Sequence, residues 1–434
     1  METLLYFFVF TKPWLGALSL SEFPFRDFKR PAEARAQIPT TLTGYVDAAF
    51  VVFSALYLYK HREPLRLLPY YRRWLIFLGF LLLSSILIAP FHLLALRRLV
   101  KVGVFFAMYA LAFVRARGSQ SATVTYLKWV LRSAWVPVLY GLGNFASHAN
   151  ISWSAVSNRD YREYSTFTHA NPFSYFCIIA LVVVAILWRC RPDGARRQGK
   201  IYLAFPAILI AAAILTTGAR GAIVGAFTAY LLAIRSSWKL KVVMACLALF
   251  ALAQVPTFVN PVKALGQVTL GKGDSVADTM VEVAHELGTE EVEHTGELAG
   301  RLLIWSTMMT SLEGHYAFGR GLGYSAFFYE QESGEYYFSH NDYLTFTFET
   351  GICGLVLYWS MLIGVAWLLL QRRGGLVPNS FPSLLASAGL FLVVFLAFVS
   401  FTDNLFIDVY NTPLIWSVLG AATGSMPLKS VETE

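Results

Sequence analysis

The residues Tyr336-Tyr337-Phe338-Ser339-His340-Asn341-Asp342-Tyr343-Leu344, with Glu349, Gly351 and Gly354 behind them, pass without a break from a polar segment into an apolar helix. A helix that enters a membrane in this way sets a histidine and an asparagine where water meets lipid. Histidine can take up a proton near neutral pH, so we read His340 as the centre of a catalytic site at a membrane surface. A lone histidine is usually structural. Here Asn341, Tyr343 and Glu349 add polar neighbours at the start of the same helix, which favours a site.

The rest of the chain has the composition of a helical membrane protein. Of its 434 residues, 56% are hydrophobic and only 14% are charged, and the mean hydropathy is +0.53. Soluble proteins carry roughly 25% charged residues. The formal charge of +8 would suggest nucleic acid in a soluble protein. In a membrane protein it reflects Lys and Arg gathered on cytoplasmic loops, so no nucleic-acid partner is expected. Cys177, Cys190, Cys246 and Cys353 lie in or beside apolar runs, form no metal-ligand pattern, and predict no disulfide.

The apolar runs predict an all-α polytopic membrane protein with about twelve transmembrane helices. They fall at about 2–20, 41–59, 73–90, 99–114, 124–142, 172–189, 201–218, 220–234, 242–258, 342–370, 383–401 and 408–424. The first run lacks a basic start and is interrupted by Lys12-Pro13, so it reads as a helix and not as a cleaved signal peptide. Basic clusters fall on every second loop, from Lys60/Arg62/Arg66 through Arg115/Arg117 to Arg372/Arg373. The positive-inside rule then puts both termini in the cytoplasm. Three regions follow: helices one to nine over 1–258, a large outer loop over 259–341, and the last three helices with a cytoplasmic tail over 342–434. The loop is too long for a plain connector. Asp274-Ser275 is a plausible helix start, and Leu302, Leu303, Trp305 and Met309 line a second amphipathic segment, so two helices are expected to lie over the outer face.

Several cations on that face could bind an anion. Arg220 sits at a sharp break, Thr217-Gly218-Ala219-Arg220-Gly221, between two apolar segments. An arginine at this depth costs on the order of 3 kcal/mol and usually has a function, although a snorkelling helix end is the plainer alternative. Arg301 opens an amphipathic segment. Arg320 stands in Gly319-Arg320-Gly321-Leu322-Gly323, where glycines permit close backbone approach or simply a turn. Arg97 and Arg98 put charge on the side that should lack it. In the outer loop 143–171, His169 and Asn171 are candidate substrate contacts. Metal binding by His148, His169, Asp160 and Glu163 matches no ligand spacing, so no metal is expected.

The Arg220-Gly221 break, Arg301 with Trp305, the Gly319–Gly323 turn, and Ser339-His340-Asn341-Asp342-Tyr343-Leu344 with Glu349-Thr350-Gly351 and Gly354 occur in that order. Together they resemble the O-antigen ligase and polymerase superfamily of bacterial inner membranes. The resemblance covers about 170–354 by motif. It implies a bundle of some twelve helices, a periplasmic loop and catalytic face, and a glycan donor carried on undecaprenyl diphosphate. It also implies an essential histidine and arginines, which match His340, Arg220 and Arg301.

A sugar on a diphosphate arrives already activated, so neither ATP nor another cofactor is expected. The leaving group needs its growing charge stabilised, which arginines can do in bidentate fashion, and the acceptor hydroxyl needs a base. One displacement would invert the anomeric carbon. Loop 21–40 holds Glu22, Asp27 and Glu33 without an Asp-x-Asp, which favours a metal-independent reaction. In the ligase reading the acceptor is lipid A–core oligosaccharide. An O-antigen polymerase and a protein O-oligosaccharyltransferase are the neighbouring readings. A polyprenyl-lipid flippase is the reading from another class. It should carry charges in mid-span, for which Asp47 is the clearest candidate.

Overall fold

A computed structural model describes residues 2–22, 42–61, 65–147, 165–167, 170–190, 196–217, 304–325, 328, 339–403, 405 and 410–427. The described residues are helical with intervening turns, and no strand occurs among them. The long helices are α1 (Glu2–Glu22), α2 (Leu42–Lys60), α3 (Tyr71–Leu87), α4 (His92–Gly118), α5 (Gln120–Ser133), α6 (Trp135–Ser147), α7 (Ala170–Arg189), α8 (Arg196–Thr216), α9 (Asp342–Arg373), α10 (Phe381–Thr402) and α11 (Asn411–Gly424). A short helix covers 304–311 within the large loop. Four of these, α4, α7, α9 and α10, are long and apolar enough to cross a membrane. The spans expected at 220–234 and 242–258 lie outside the described residues.

Two departures from the expected spans have plain causes. Helix α4 begins at His92, so Arg97 and Arg98, expected in a short outer loop, lie within its second turn. The segment His92-Leu93-Leu94-Ala95-Leu96-Arg97-Arg98-Leu99 is composed of good helix formers. Its arginines interrupt the hydropathy but not the helix. The run expected at 124–142 is two helices, α5 and α6. Pro137 sits in the first turn of α6, where its missing N–H costs nothing.

The bundle is centred on α4 crossing α11. Gly420 and Gly424 stand four residues apart, and a Cβ on either would strike the carbonyl oxygens of Tyr109 and Phe113. Small residues at this spacing let two membrane helices meet backbone to backbone. Trp416 of α11 meets Trp74 of α3 edge-on at 4.7 Å between ring centres, and Tyr109 at 5.6 Å. At the edge of the bundle, Lys12 of α1 pairs with Asp47 of α2, both buried. Each of these two charges is thus matched by its opposite. These packed helices bring the starts of α7 and α9 and the end of α10 side by side, at the end of the bundle that the alternation of basic loops predicts to be the outer one.

Candidate active site

The outer end of α9 is built by its own sequence. Asn341 is the N-cap, with φ −155° and ψ 106°, and its side chain accepts from the Leu344 N–H at 3.1 Å. That bond satisfies one of the orphan donors of the first turn. Ser339 closes the other side. Its hydroxyl donates to the Asn341 carbonyl at 3.1 Å, and its own carbonyl accepts from the Trp305 indole N–H at 2.6 Å. The short helix at 304–311 is tied in this way to the start of α9. Between these two anchored residues His340 takes φ +48°. This left-handed conformation is uncommon without glycine, costs of order 1 kcal/mol, and is typical of residues held for a purpose.

The His340 ring meets a carboxylate. Nδ1 lies 3.2 Å from Oδ1 of Asp403, the residue that ends α10. The second oxygen, Oδ2, accepts from Asn171 Nδ2 at 2.9 Å and from the Tyr175 hydroxyl at 3.1 Å. Both donors stand in the first two turns of α7. The Asp403 N–H donates to the Val399 carbonyl at 2.8 Å. The carboxylate is therefore held from three helices. The histidine side chain is 33% exposed and that of Asp403 only 13%. With an N–H on Nδ1 directed at Asp403, the basic lone pair is on Nε2. A ring anchored on one nitrogen and basic on the other is the arrangement a general base requires.

The inner end of the same half-helix is built differently. Gly351 has φ 68° and ψ −177°, which breaks α9 in the middle of its apolar run. A continuous helix would bond Ile352 N–H to Phe348 C=O and Cys353 N–H to Glu349 C=O. Instead the turn after the 304–311 helix supplies four partners. The amides of Arg320 and Gly321 donate to the Phe348 and Glu349 carbonyls at 2.8 and 3.0 Å. The amides of Ile352 and Cys353 donate to the Tyr316 and Ala317 carbonyls at 2.9 and 3.2 Å. No room is left for side chains at this seam. A Cβ on Gly319 would lie 2.6 Å from the Glu349 carbonyl carbon, and one on Gly351 would collide with the Ala317 carbonyl. The glycine run thus serves close backbone packing and not an open anion-binding turn.

The expected site residues among those described can now be located. His340, Asn341 and Asn171 converge at the outer end of α9, Asn171 through Asp403. Tyr343 belongs to packing: its hydroxyl donates to the Ala397 carbonyl at 3.0 Å and its ring stacks on Trp359 at 4.7 Å. Glu349 is buried at the break, where it accepts from the Ser325 hydroxyl at 2.6 Å and lies 3.8 Å from Arg98 Nη2. Its surroundings are the glycine turn and α4, not the His340 ring. Arg320 bonds Ser311 Oγ at 3.0 Å and approaches His315 Nε2 at 3.1 Å. Arg97 shares no ion pair with an acidic residue among the described residues, and its Nε and Nη2 are buried. Arg220, Arg301 and His169 lie outside the described residues. Asp403 and Tyr175 were not anticipated. The available signal was position: Asp403 directly follows the apolar run 383–401, at the end that alternation puts on the same face as His340.

Residues 205–359 match the family model described as O-antigen ligase. The match includes Arg220, Arg301, Arg320, His340, Asn341, Tyr343 and Glu349, and it stops before Asp403. No curated protein matches the chain.

Proposed function

We propose, on the premise that this chain belongs to the O-antigen ligase superfamily, that it is a membrane glycosyltransferase that moves O-antigen polysaccharide from undecaprenyl diphosphate to lipid A–core oligosaccharide. The reaction is placed on the periplasmic face of the bacterial inner membrane, with both termini cytoplasmic. The observation that carries the reading is the His340–Asp403 pair at the outer end of α9, with its ring partly open to solvent.

In the proposed step the acceptor hydroxyl oxygen attacks the anomeric carbon of the donor sugar. Its proton passes to His340 Nε2. The bond between the anomeric carbon and the phosphate oxygen breaks, and its electron pair leaves with undecaprenyl diphosphate. One displacement inverts the anomeric centre. Asp403 orients the ring and stabilises the imidazolium that forms. Arg220 and Arg301 take the growing diphosphate charge, for which the guanidinium fork is suited. Arg97 and Arg320 add positive potential around the donor path. The reaction needs no metal, no ATP and no other cofactor.

The architecture favours this reading over a flippase. Transporters with broken helices leave half-helix ends open to ligand. Here the ends at Gly351 are occupied by the backbone of residues 316–321. Asp47, the clearest mid-span candidate for transport, is paired with Lys12.

The test is reconstitution. Purified protein is mixed with lipid-linked O-antigen and rough lipopolysaccharide in the presence of a chelator and without ATP. A ladder of glycan-bearing lipopolysaccharide is the expected product. Lengthening of the lipid-linked glycan instead, with the lipopolysaccharide untouched, replaces the ligase by a polymerase. Absence of any new glycosidic bond overturns the proposal.

A further inference from the structure

The geometry points to Glu349 as a positioning residue that holds the His340 half-helix in register from below, acting with Arg98. The inference rests on the proposed base role of His340. Its observations are independent of that role.

The half-helix from Asp342 to Thr350 has about two and a half turns. A helix that short is marginal by itself, because nucleation is costly and few bonds repay it. Normally the rest of α9 would stiffen it through continuous hydrogen bonds. The break at Gly351 removes those bonds, so rigidity cannot pass up the backbone from the inner half. Nearer His340, Tyr343 and Asp342 tie the half-helix to α10 through Ala397 and Ser400. At the break, rigidity has to come from what is packed there, which is the turn 316–323. That turn is held by backbone bonds on its α9 side and by close contact on its α4 side. A Cβ on Gly321 would lie 3.0 Å from the Ala89 nitrogen, and one on Gly323 would lie 2.9 Å from Leu94 Cγ.

Glu349 ties these surfaces together. It is the last carboxylate before the break and is 1% exposed. Its Oε1 receives the Ser325 hydroxyl, which fixes the far end of the glycine turn. The same oxygen faces Arg98 Nη2, which fixes α4. One carboxylate thus joins α9, the turn and α4 in a buried setting. Losing one charge of a buried pair leaves the other uncompensated and is far more damaging than losing an exposed pair. The outer end of the half-helix carries His340, whose 3.2 Å approach to Asp403 depends on where that helix sits. Displacements of about 1 Å in a catalytic group can cost about 100-fold in rate.

The experiment uses the full chain in lipid vesicles and the substitution Glu349→Gln, which keeps an acceptor for Ser325 and removes the charge. Two quantities are read: amide hydrogen exchange over 342–350 and 316–321, and the kinetics of glycan transfer. Exchange in both segments should quicken while α10 and α11 stay protected. The value of kcat should fall about 10- to 100-fold, with KM for the lipid-linked donor unchanged. Combined with Asp403→Asn, the two losses should overlap and not multiply, because both act through the placement of one ring. If Glu349→Gln does not fold, Ser325→Ala, which removes only the 2.6 Å bond, should give the same pattern at smaller size. Unchanged exchange overturns the inference. So does a raised donor KM with kcat retained, which would make Glu349 and Arg98 part of the donor site. A wild-type protein that transfers nothing sinks the proposed function instead. The exchange measurement then still decides whether Glu349 secures the half-helix.

Discussion

The two ends of one half-helix solve different problems with different parts of the chain. At the outer end, side chains do the work: a histidine, a carboxylate, an amide and a phenol meet from α9, α10 and α7. At the inner end the backbone does it: four main-chain bonds replace two helical ones, and glycines clear the space. The outer set is partly open to solvent and its histidine is strained. The inner set is closed and bonded through the main chain. Substitutions outside should therefore cost chemistry while sparing the fold, and substitutions inside should cost the fold first.

The largest effect should come from His340→Ala. Removing a general base lowers transfer by about 10²–10⁴-fold. Alanine keeps the left-handed backbone at φ +48° and loses the Asp403 contact, so thermal stability should hold or fall slightly. Binding of the lipid-linked donor, assigned to the arginines, should persist. Donor binding and transfer are measured side by side. If both fall together, His340 is a binding or structural residue and the outer end loses its distinctive role.

Gly351→Ala probes the other end. An L-residue at φ 68° is strained, and its Cβ would collide with the Ala317 carbonyl. The strain alone costs about 1–3 kcal/mol, before the collision is counted. The yield of folded protein and its melting temperature should drop sharply. A stable, well-folded Gly351→Ala protein would mean that the seam with residues 316–321 is not tight.

Asp403→Asn comes next in size. It keeps the shape but exchanges a charged acceptor for a neutral amide that offers a donor to the ring. Loss of a charge-assisted hydrogen bond is worth about 1.5–3 kcal/mol, or about 10- to 100-fold in rate. The fold should be unaffected, because the Val399 bond uses the backbone of residue 403. Transfer measured beside His340→Ala tests the dependence directly: in the double variant, Asp403→Asn should add almost no further loss.

These contrasts also show what could be read from the chain beforehand. The apolar runs located most of the described helices, because a membrane imposes length and hydropathy on each segment locally. His340 and Asn341 stood out because polar residues at the start of an apolar helix are costly without a purpose. Asp403 did not, since its partnership with His340 spans sixty-three residues and exists only where three helix ends meet. Glu349 reads as a site residue for its polarity. Its place in the fold depends on the break at Gly351, and a glycine inside an apolar run does not announce a break. Helix α4 came out longer than its hydropathy because helix formation follows backbone propensity, whereas hydropathy records only solvent preference.

The smallest effect, and the sharpest test of the boundary between the two ends, belongs to Tyr343. It lies three residues beyond His340, close enough in sequence to be taken for a substrate contact. In the fold its hydroxyl donates to the Ala397 carbonyl at 3.0 Å, and its ring lies parallel to Trp359. Tyr343→Phe removes one hydrogen bond of about 1 kcal/mol and keeps the stacked ring. Melting should shift by a few degrees at most, and transfer should stay within about twofold, equivalent to less than 0.5 kcal/mol. A loss of tenfold or more in Tyr343→Phe, with donor binding weakened, would extend the active site along α9. The division would then have to be drawn deeper, between Tyr343 and Glu349.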